Sequence, residues 1–493
     1  MEAALEKRLK RQVIGKPHLF LAVVPLGFEQ TLADEIEFCH PRVVGDGKVE
    51  FTAKIVDAWK AVAYTRIANR ILMHIADFKA ENFRELEKKA SEIPWELYLP
   101  CHPERSNASC EVEGSISIHV TCKHSRLYHS DAVAERLYNV IGNSFPAAAT
   151  SSWRPQSRHL LNCHSGAEGD RAKAEDFPQN LFVTLIDDRC TLWLDLAGEE
   201  LYKRGHERFV NDAPLKETIA AAMLHEILRL RATPSAQDDT RLVAAPITLI
   251  DPMAGSGTFS LEAAYMASGL IPGVCRDFAL KHQPAFKPAT WDYIVKQERV
   301  IPNETPNGME SKSLIANIIT SDISERAVGI IRHNVESSPL AQTSAGPLAH
   351  AHAPTIAPTI APHLKDFFSY TAEEIIRACS TPKAPGTPEA NSSQPAIVLN
   401  PPYGKRLDCN APELYTQIGR KLTELARGLN ALGKTLSVAI LAPKDDTRNG
   451  AKYTCTSNLL RECPALDPAQ NPQARQIVTS HGGLSLNAFF ASL

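Results

Sequence analysis

The chain has 493 residues, 44% hydrophobic and 22% charged, the composition of a soluble globular protein with room for about three domains. With 53 lysines and arginines against 56 acids the formal net charge is −3, which excludes a bulk polycation and leaves any nucleic-acid contact to local patches. The charged start Met1–Arg8 lacks a signal core, no run approaches the ~20 apolar residues of a membrane span, and the 11 cysteines form no Cys-x-x-Cys pair. The expectation is a cytoplasmic protein with reduced thiols, no membrane contact and no metal site.

His18–Val24 reads as a strand, Glu29–Phe38 as a helix with Leu32, Ala33 and Ile36 on one face, and Val49–Thr52 and Ile55–Thr65 as a further strand and helix. Ile67–Phe78 alternates as a strand and Phe83–Ile93 reads as a helix. Ile116–Cys122 is a half-buried strand, followed by the amphipathic helix Asp131–Ile141. Leu181–Leu185 and Cys190–Leu194 predict a hairpin turning at Asp187-Asp188. Two basic stretches interleaved with aromatics flank this α+β half. One holds Lys123, His124, Arg126, Tyr128 and His129; the other runs Tyr202-Lys203-Arg204-Gly205-His206-Glu207-Arg208. Each can grip phosphates, and each also fits a solvated charged face. Lys123, Arg126, His129, Lys203, Arg204 and Arg208 are the candidate RNA contacts.

Ala213–Thr218 opens a helix with Pro214 near its first turn. Ile247–Asp251 is then a strand running into the turn Pro252-Met253-Ala254-Gly255-Ser256-Gly257 and a helix from about Thr258. Gly255 and Gly257 let the backbone approach a ligand, and the helix start aims N–H groups into the same space. No Gly-Lys-Ser/Thr follows, which argues against a P-loop, and Ser260 stands where a dinucleotide fingerprint needs its third glycine. Ile318–Ser324 is the next strand; Asp322 at its end can accept hydrogen bonds from both hydroxyls of a ribose, and Ser324 is the expected N-cap of a helix. The span 269–314 before it reads as an insertion. Residues 340–362 and 379–395, rich in Ala, Pro, Ser and Thr, read as mobile linkers. Between them Asp366 precedes a helix and could meet an adenine amino group.

Ala396–Leu399 is a short apolar strand halted by Asn400-Pro401-Pro402-Tyr403, because consecutive prolines cannot donate to a ladder. The stiff loop presents an amide and an aromatic ring at the carboxyl end of a strand, where open α/β sheets bind ligands. An exocyclic amine on a planar base is a poor nucleophile because its lone pair is delocalised. The Asn400 carbonyl and a neighbouring backbone carbonyl can accept its N–H groups and aim the lone pair, while Tyr403 stacks on the base. Pro412–Leu432 reads as a long helix, with strands at 435–441 and 484–490 after it. Strands alternating with helices predict an α/β, doubly wound sheet.

Asp251–Thr258, Asp322 and Asn400–Leu407 together resemble the class I S-adenosyl-L-methionine-dependent methyltransferases that modify exocyclic amines. With the first 200 residues, the whole is similar to the bacterial large-subunit ribosomal RNA guanine-N2 methyltransferases, a family also labelled N6-adenine-specific DNA methylases. The resemblance implies a ferredoxin-like subdomain over 1–65, a THUMP RNA-binding domain over 66–200 and a Rossmann-like methyltransferase domain over 201–493. It implies that Asp251, Gly255 and Gly257 line the methionine end of the cofactor, Asp322 holds the ribose and Asp366 the adenine, with Lys216 and Thr218 closing the pocket. Asn400, with the Pro401 carbonyl and the stiffening Pro402, would orient the amine and Tyr403 would stack on the flipped base. Large-subunit ribosomal RNA is the expected substrate. Transfer RNA, adenine-N6 methylation of DNA and a non-catalytic RNA-binding assembly factor are the alternatives.

Overall fold

The computed structural model describes residues 2–100, 116–145, 179–210, 214–230, 246–296, 314–342, 358–380, 393–403, 410–445 and 454–493. Two seven-stranded sheets organise them. The first comprises β1 (Pro17–Val23), β2 (Arg42–Gly45), β3 (Lys48–Lys54), β4 (Arg70–Lys79), β5 (Ile116–Lys123), β6 (Gln179–Ile186) and β7 (Arg189–Asp195), in the order β2-β3-β1-β4-β7-β6-β5. Only β5 and β6 pair in parallel. The predicted hairpin is present: Asp187 and Asp188 take φ of 50° and 62°, the left-handed pair a two-residue turn needs. Alternation sets the faces, with Leu181, Val183 and Leu185 buried opposite Cys190, Leu192 and Leu194. The expected boundary between residues 65 and 66 falls inside this continuous sheet, because β4 pairs with both β1 and β7.

The second sheet comprises β8 (Ile247–Asp251), β9 (Ile315–Asp322), β10 (Pro362–Leu364), β11 (Gln394–Leu399), β12 (Ser437–Pro443), β13 (Arg475–His481) and β14 (Leu484–Ser492), in the order β10-β9-β8-β11-β12-β14-β13. β8 to β12 are parallel, and β14 is antiparallel between β12 and β13. β8 and β12 are buried along their whole length because helices cover both faces. On one face Leu249, Val398 and Ala439 pack with the helices Glu217–Arg229 and Thr258–Ala267. On the other Ile250, Ile397 and Val438 pack with Ala372–Cys379 and Ala411–Ala431. The chain builds outward from β8 through β9 to β10, then returns to β11 on the opposite side, so the order reverses between β8 and β11.

The span read as an insertion, 269–314, is partly a clamp between the two sheets. Leu280 N–H donates to Leu196 O at 3.0 Å, and the Tyr64 hydroxyl donates to Ile294 O at 2.7 Å. Trp291 and Ile294 on the helix Pro288–Lys296 are buried against the first domain. A short helix, Pro339–Gln342, runs into the second expected linker and β10 starts at its end, while β11 starts within the third; 343–357 and 381–392 lie outside the described residues. The sequence reading also missed β13, which hairpins onto β14 through Gly482-Gly483.

Charged groups lock the two domains together. The Arg204 guanidinium donates to both Glu262 carboxylate oxygens at 2.9 and 3.1 Å and to Arg66 O at 2.9 Å. Arg66 Nη2 donates to Tyr265 O at 3.2 Å. Thr31 and Thr218, both buried, donate to Glu226 and Asn69 across the same boundary, at 2.7 and 2.8 Å. Arg204 was read as a phosphate contact; it is instead a buried structural cation, and its spacing among basic neighbours carried no sign of that. Removing one partner of a buried pair strands the other, so Arg204→Ala should cost about 3–5 kcal/mol. Chemical denaturation checks this; a loss below about 1 kcal/mol, as for an exposed pair, would contradict the assignment.

Candidate active site

The carboxyl ends of β8, β9 and β11 converge at the reversal point, and each ends in a polar side chain: Asp251, Asp322 and Asn400. Ile397 lies opposite Ile250 in register, so Asp251 and Asn400 leave neighbouring strands on one side of the sheet.

Asp251 is buried. Its Oδ2 accepts from Ser260 Oγ at 2.8 Å and Ser260 N at 3.3 Å, while Oδ1 has no hydrogen-bond partner among the described residues. Burial, reinforced by the Asp322 charge and opposed by the Ser260 hydrogen bonds, pushes its carboxyl up to about 7. Asp322 sits at the surface of the cleft. Its Oδ2 accepts from Gly255 N and Oδ1 from Ser324 N, both at 2.9 Å. Ser324 caps the helix Glu325–Glu336 through Ala327 N, as its position predicted.

Gly255 and Gly257 both adopt left-handed backbone, φ 57° and 79°. A Cβ at Gly255 would meet nothing within 4 Å, so the turn is open there. Gly257 is the N-cap of the helix Thr258–Ala267. Asp366 caps a short 3-10 turn through Phe368 N at 3.0 Å, and Lys365 N donates to Asp322 O, also at 3.0 Å, which ties it to the β9 end.

Asn400 is half-buried, and its side-chain carbonyl, Oδ1, is buried without a partner among the described residues. A buried amide oxygen left so is an unsatisfied acceptor. Pro401 is buried and Pro402 half-buried. Tyr403 packs against the core, and burial pushes its hydroxyl up to about 12, so it stays neutral. Residues 404–409, which completed the expected motif, lie outside the described residues.

The remaining expected residues separate. Lys216 precedes the helix Glu217–Arg229, with its ammonium 4.6 Å from the Tyr202 ring centroid and 3.8 Å from Glu200. Thr218 spends its hydroxyl on Asn69. Lys123, Arg126 and His129 are exposed on the first domain, with Arg126 paired to Glu81 and Asp188, and Lys203 is exposed beside Glu199 at 3.0 Å. Arg208 is the second correction. Its side chain is 9% exposed, set between Glu217 and Thr258, with its charge paired to Glu217. Sequence reasoning missed Ser260, Tyr370 and Asn334. Tyr370 shares a 2.9 Å hydrogen bond with Ser321, and Asn334 is wholly buried. Ser260 was noted only as a missing glycine, and no spacing marked the other two.

Comparison with known proteins now adds to this geometry. Residues 204–345 match the family described as the RMKL-like methyltransferase domain, and residues 19–72 match the RlmL ferredoxin-like domain. The first of these matches and the solved structures below give the C-terminal half the fold of class I methyltransferases. The chain is 26% identical over 415 residues to the ribosomal RNA large subunit methyltransferase K/L of Syntrophotalea carbinolica, covering 82% of this chain and 47% of that protein. It thus spans about half the length of the curated relatives it matches. Among solved structures, SMU.472 complexed with SAH superposes with a TM-score of 0.61 at 20% identity over 97% of this chain and 98% of that one. A predicted N6-adenine-specific DNA methylase from Listeria monocytogenes superposes equally, TM-score 0.61 at 20% identity over 96% of both chains. At such identity both show the fold. The cofactor of this methyltransferase fold is S-adenosyl-L-methionine, and the cleft suits it. The turn is open at Gly255 and Asp251 Oδ1 lacks a hydrogen-bond partner among the described residues, so these two would sit at its methionine end. Among the described residues no three His, Cys, Asp or Glu side chains gather as a metal site, and no helix is long and apolar enough to cross a membrane.

The raised Asp251 carboxyl has a consequence for stability. The folded state holds its proton up to about pH 7 and the unfolded chain releases it near pH 4, so stability falls as pH rises through that window. Asp251→Asn should flatten this part of the profile of unfolding temperature against pH. An unchanged slope in calorimetry would mean that Asp251 is ionised throughout.

Proposed function

We propose that the protein methylates an exocyclic base amine in RNA with S-adenosyl-L-methionine, the target being guanine N2 of large-subunit ribosomal RNA. The observation that carries this is the buried, unpartnered carbonyl of Asn400 at the reversal point of the sheet. A carbonyl acceptor there is of use to a nucleophile that carries hydrogens. A ring nitrogen such as guanine N7 has none to offer it.

When bound, S-adenosyl-L-methionine supplies an electrophilic methyl group. The chain's own residues do the rest. Asn400 Oδ1 and the Pro401 carbonyl accept the two amine N–H groups, which holds the nitrogen lone pair out of conjugation and directed into the cleft. Tyr403, neutral and set against the core, stacks on the flipped base and fixes its plane. Asp322 takes the ribose hydroxyls, and the turn at Gly255 and Gly257 lets the backbone close on the methionine end. Asp366 meets the adenine. Lys216 borders the pocket. The amine proton leaves after attack, to solvent. Positioning supplies most of the rate.

The first 200 residues serve as the RNA grip, read as a ferredoxin-like unit over 1–65 and a THUMP domain over 66–200, with 201–493 as the catalytic unit. The exposed Lys123, Arg126 and His129 on it, with Lys203 just beyond, are the remaining phosphate contacts. The names of the curated relatives support ribosomal RNA as the substrate class, and a cytoplasmic location follows from that substrate.

Asn400→Ala should keep cofactor affinity and lower kcat by about 10²–10³-fold, the cost of one aligned polar contact to the reacting group. Asp322→Ala should weaken cofactor binding. Single-turnover assays and calorimetry separate the two; wild-type turnover in Asn400→Ala would sink the mechanism. Nucleoside mass spectrometry of fractionated RNA from cells with and without the protein tests the substrate. Loss of N2-methylguanosine from large-subunit RNA is expected. Loss from transfer RNA would move the substrate, and no change in RNA would turn attention to DNA adenine.

A further inference from the structure

The short strap 204–210 joins the two domains; Glu207, Phe209 and Val210 are exposed on it, but its two arginines turn inward and form no basic patch. At its start Arg204 is held by Glu262 and Arg66 O. Gly205 has φ 86°, and any side chain there would lie 2.4 Å from Arg276 Cβ, so the strap is seated tightly on its neighbour. Further along, Phe209 is bracketed by one buried amide. Phe209 N donates to Asn334 Oδ1 at 2.8 Å, and Asn334 Nδ2 donates to Phe209 O at 2.9 Å. The same Nδ2 donates to Ser256 O, inside the glycine turn, at 3.0 Å. The Phe209 ring stacks on His333, with centroids 3.9 Å apart and planes within 7°.

Between these anchors lies Arg208. Its Nη1 pairs with Glu217 at the start of the helix Glu217–Arg229, and its Nη2 donates to Thr258 Oγ1 at 3.0 Å. Thr258 is the first residue of the helix after the glycine turn, and its hydroxyl lies 3.3 Å from Ser256 Oγ. The turn is therefore gripped on two sides. Asp322 holds Gly255 N on one side, while Arg208 of the strap holds Thr258 and Asn334 of the helix Glu325–Glu336, itself tied to the strap at Phe209, holds Ser256. Nothing else on the strap reaches these two residues through a side chain among the hydrogen bonds described.

We infer that Arg208 and Asn334 are positioning residues for the cofactor turn, through which the strap from the N-terminal domain sets the shape of the methionine-binding end of the site. The inference rests on the methyltransferase reading above. Left-handed conformations at two glycines so close together are easily relaxed, because glycine loses more freedom on ordering than any other residue. The strap removes that freedom before the cofactor arrives. Neither residue touches the reacting atoms, so their loss should fall on cofactor affinity.

The test measures binding of S-adenosyl-L-methionine and of S-adenosylhomocysteine by calorimetry on the full chain, and RNA binding by filter retention. The variants are Arg208→Ala, Arg208→Lys, Thr258→Val and the pair Arg208→Ala/Thr258→Val. Arg208→Ala and Thr258→Val should each weaken both cofactor ligands by about tenfold, the size of one hydrogen bond to a charged group. The double variant should be no worse than the weaker single, because both remove the same contact. Arg208→Lys should restore part of the affinity, and RNA affinity should stay within twofold throughout. Should Arg208→Ala fail to fold, Thr258→Val removes the contact without stranding a charge and carries the test by itself. Unchanged cofactor affinity in Thr258→Val overturns the inference. So does a loss of RNA affinity with a shallower salt dependence in Arg208→Lys or Arg208→Ala, which would return Arg208 to the phosphate-binding set. Failure of the wild-type protein to bind either ligand would instead overturn the methyltransferase reading.

Discussion

The parallel pairing of β8 with β11 is the constraint on which the proposed site depends. These strands lie about 150 residues apart in the chain and become neighbours only because the sheet grows first to one side of β8 and then to the other. Their apolar runs are buried on both faces, so a slip of one residue would turn the whole set of side chains to the wrong layer. Register thereby fixes where each strand stops. It puts the acid that ends β8 and the amide that ends β11 side by side, with the acid of β9 one strand further out. A polar group in such a place is costly unless it is satisfied, and both Asp251 and Asn400 keep one oxygen unsatisfied among the described residues. That cost is what a bound cofactor and a bound base would relieve.

The second organising feature is the buried charge between the domains. Arg204, Glu262 and Arg66 lie in the interior, where desolvation nearly cancels their mutual attraction. Such a group does little for stability compared with an apolar contact of the same size. It is intolerant of misalignment, however, since any shift strands a charge, and it therefore holds one relative placement of the two sheets. The clamp formed by residues 278–294 adds apolar burial to that placement through Phe278, Leu280 and Trp291. For the proposed methylation of a base in RNA, a fixed distance between grip and cleft would matter more than the strength of either contact.

The two corrected arginines belong together. A basic heptapeptide interleaved with aromatics has the composition of a phosphate-binding stretch or of a solvated charged face, and local sequence alone does not show a buried fate. In the folded chain its charges alternate in fate. Lys203 faces solvent, Arg204 turns inward to Glu262, and Arg208 turns inward to Glu217. The acids that neutralise the two arginines come from positions 58 and 9 residues away. Local composition cannot register partners supplied by other elements.

Much of the architecture was legible in the linear chain because it depends on short-range physics. Alternating strands and helices declared a doubly wound sheet, the Asp187-Asp188 turn declared its hairpin, Ser324 declared a helix start, and the glycines and prolines around positions 255 and 401 marked two stiff or bare turns at strand ends. Those signals need only neighbours within a few residues, and there the folded chain agrees with them. What the tertiary structure alone decided concerns contacts made over long separations. One continuous sheet crosses the expected boundary at residue 65 because β4 finds partners on both sides. Part of an apparent insertion is buried because another domain lies against it. Asn334 joins the glycine turn to the strap, and two arginines leave the surface because buried carboxylates await them. Pairing partners, burial and charge compensation are properties of position in space, and a one-dimensional pattern carries the residue types that permit them without naming which will meet.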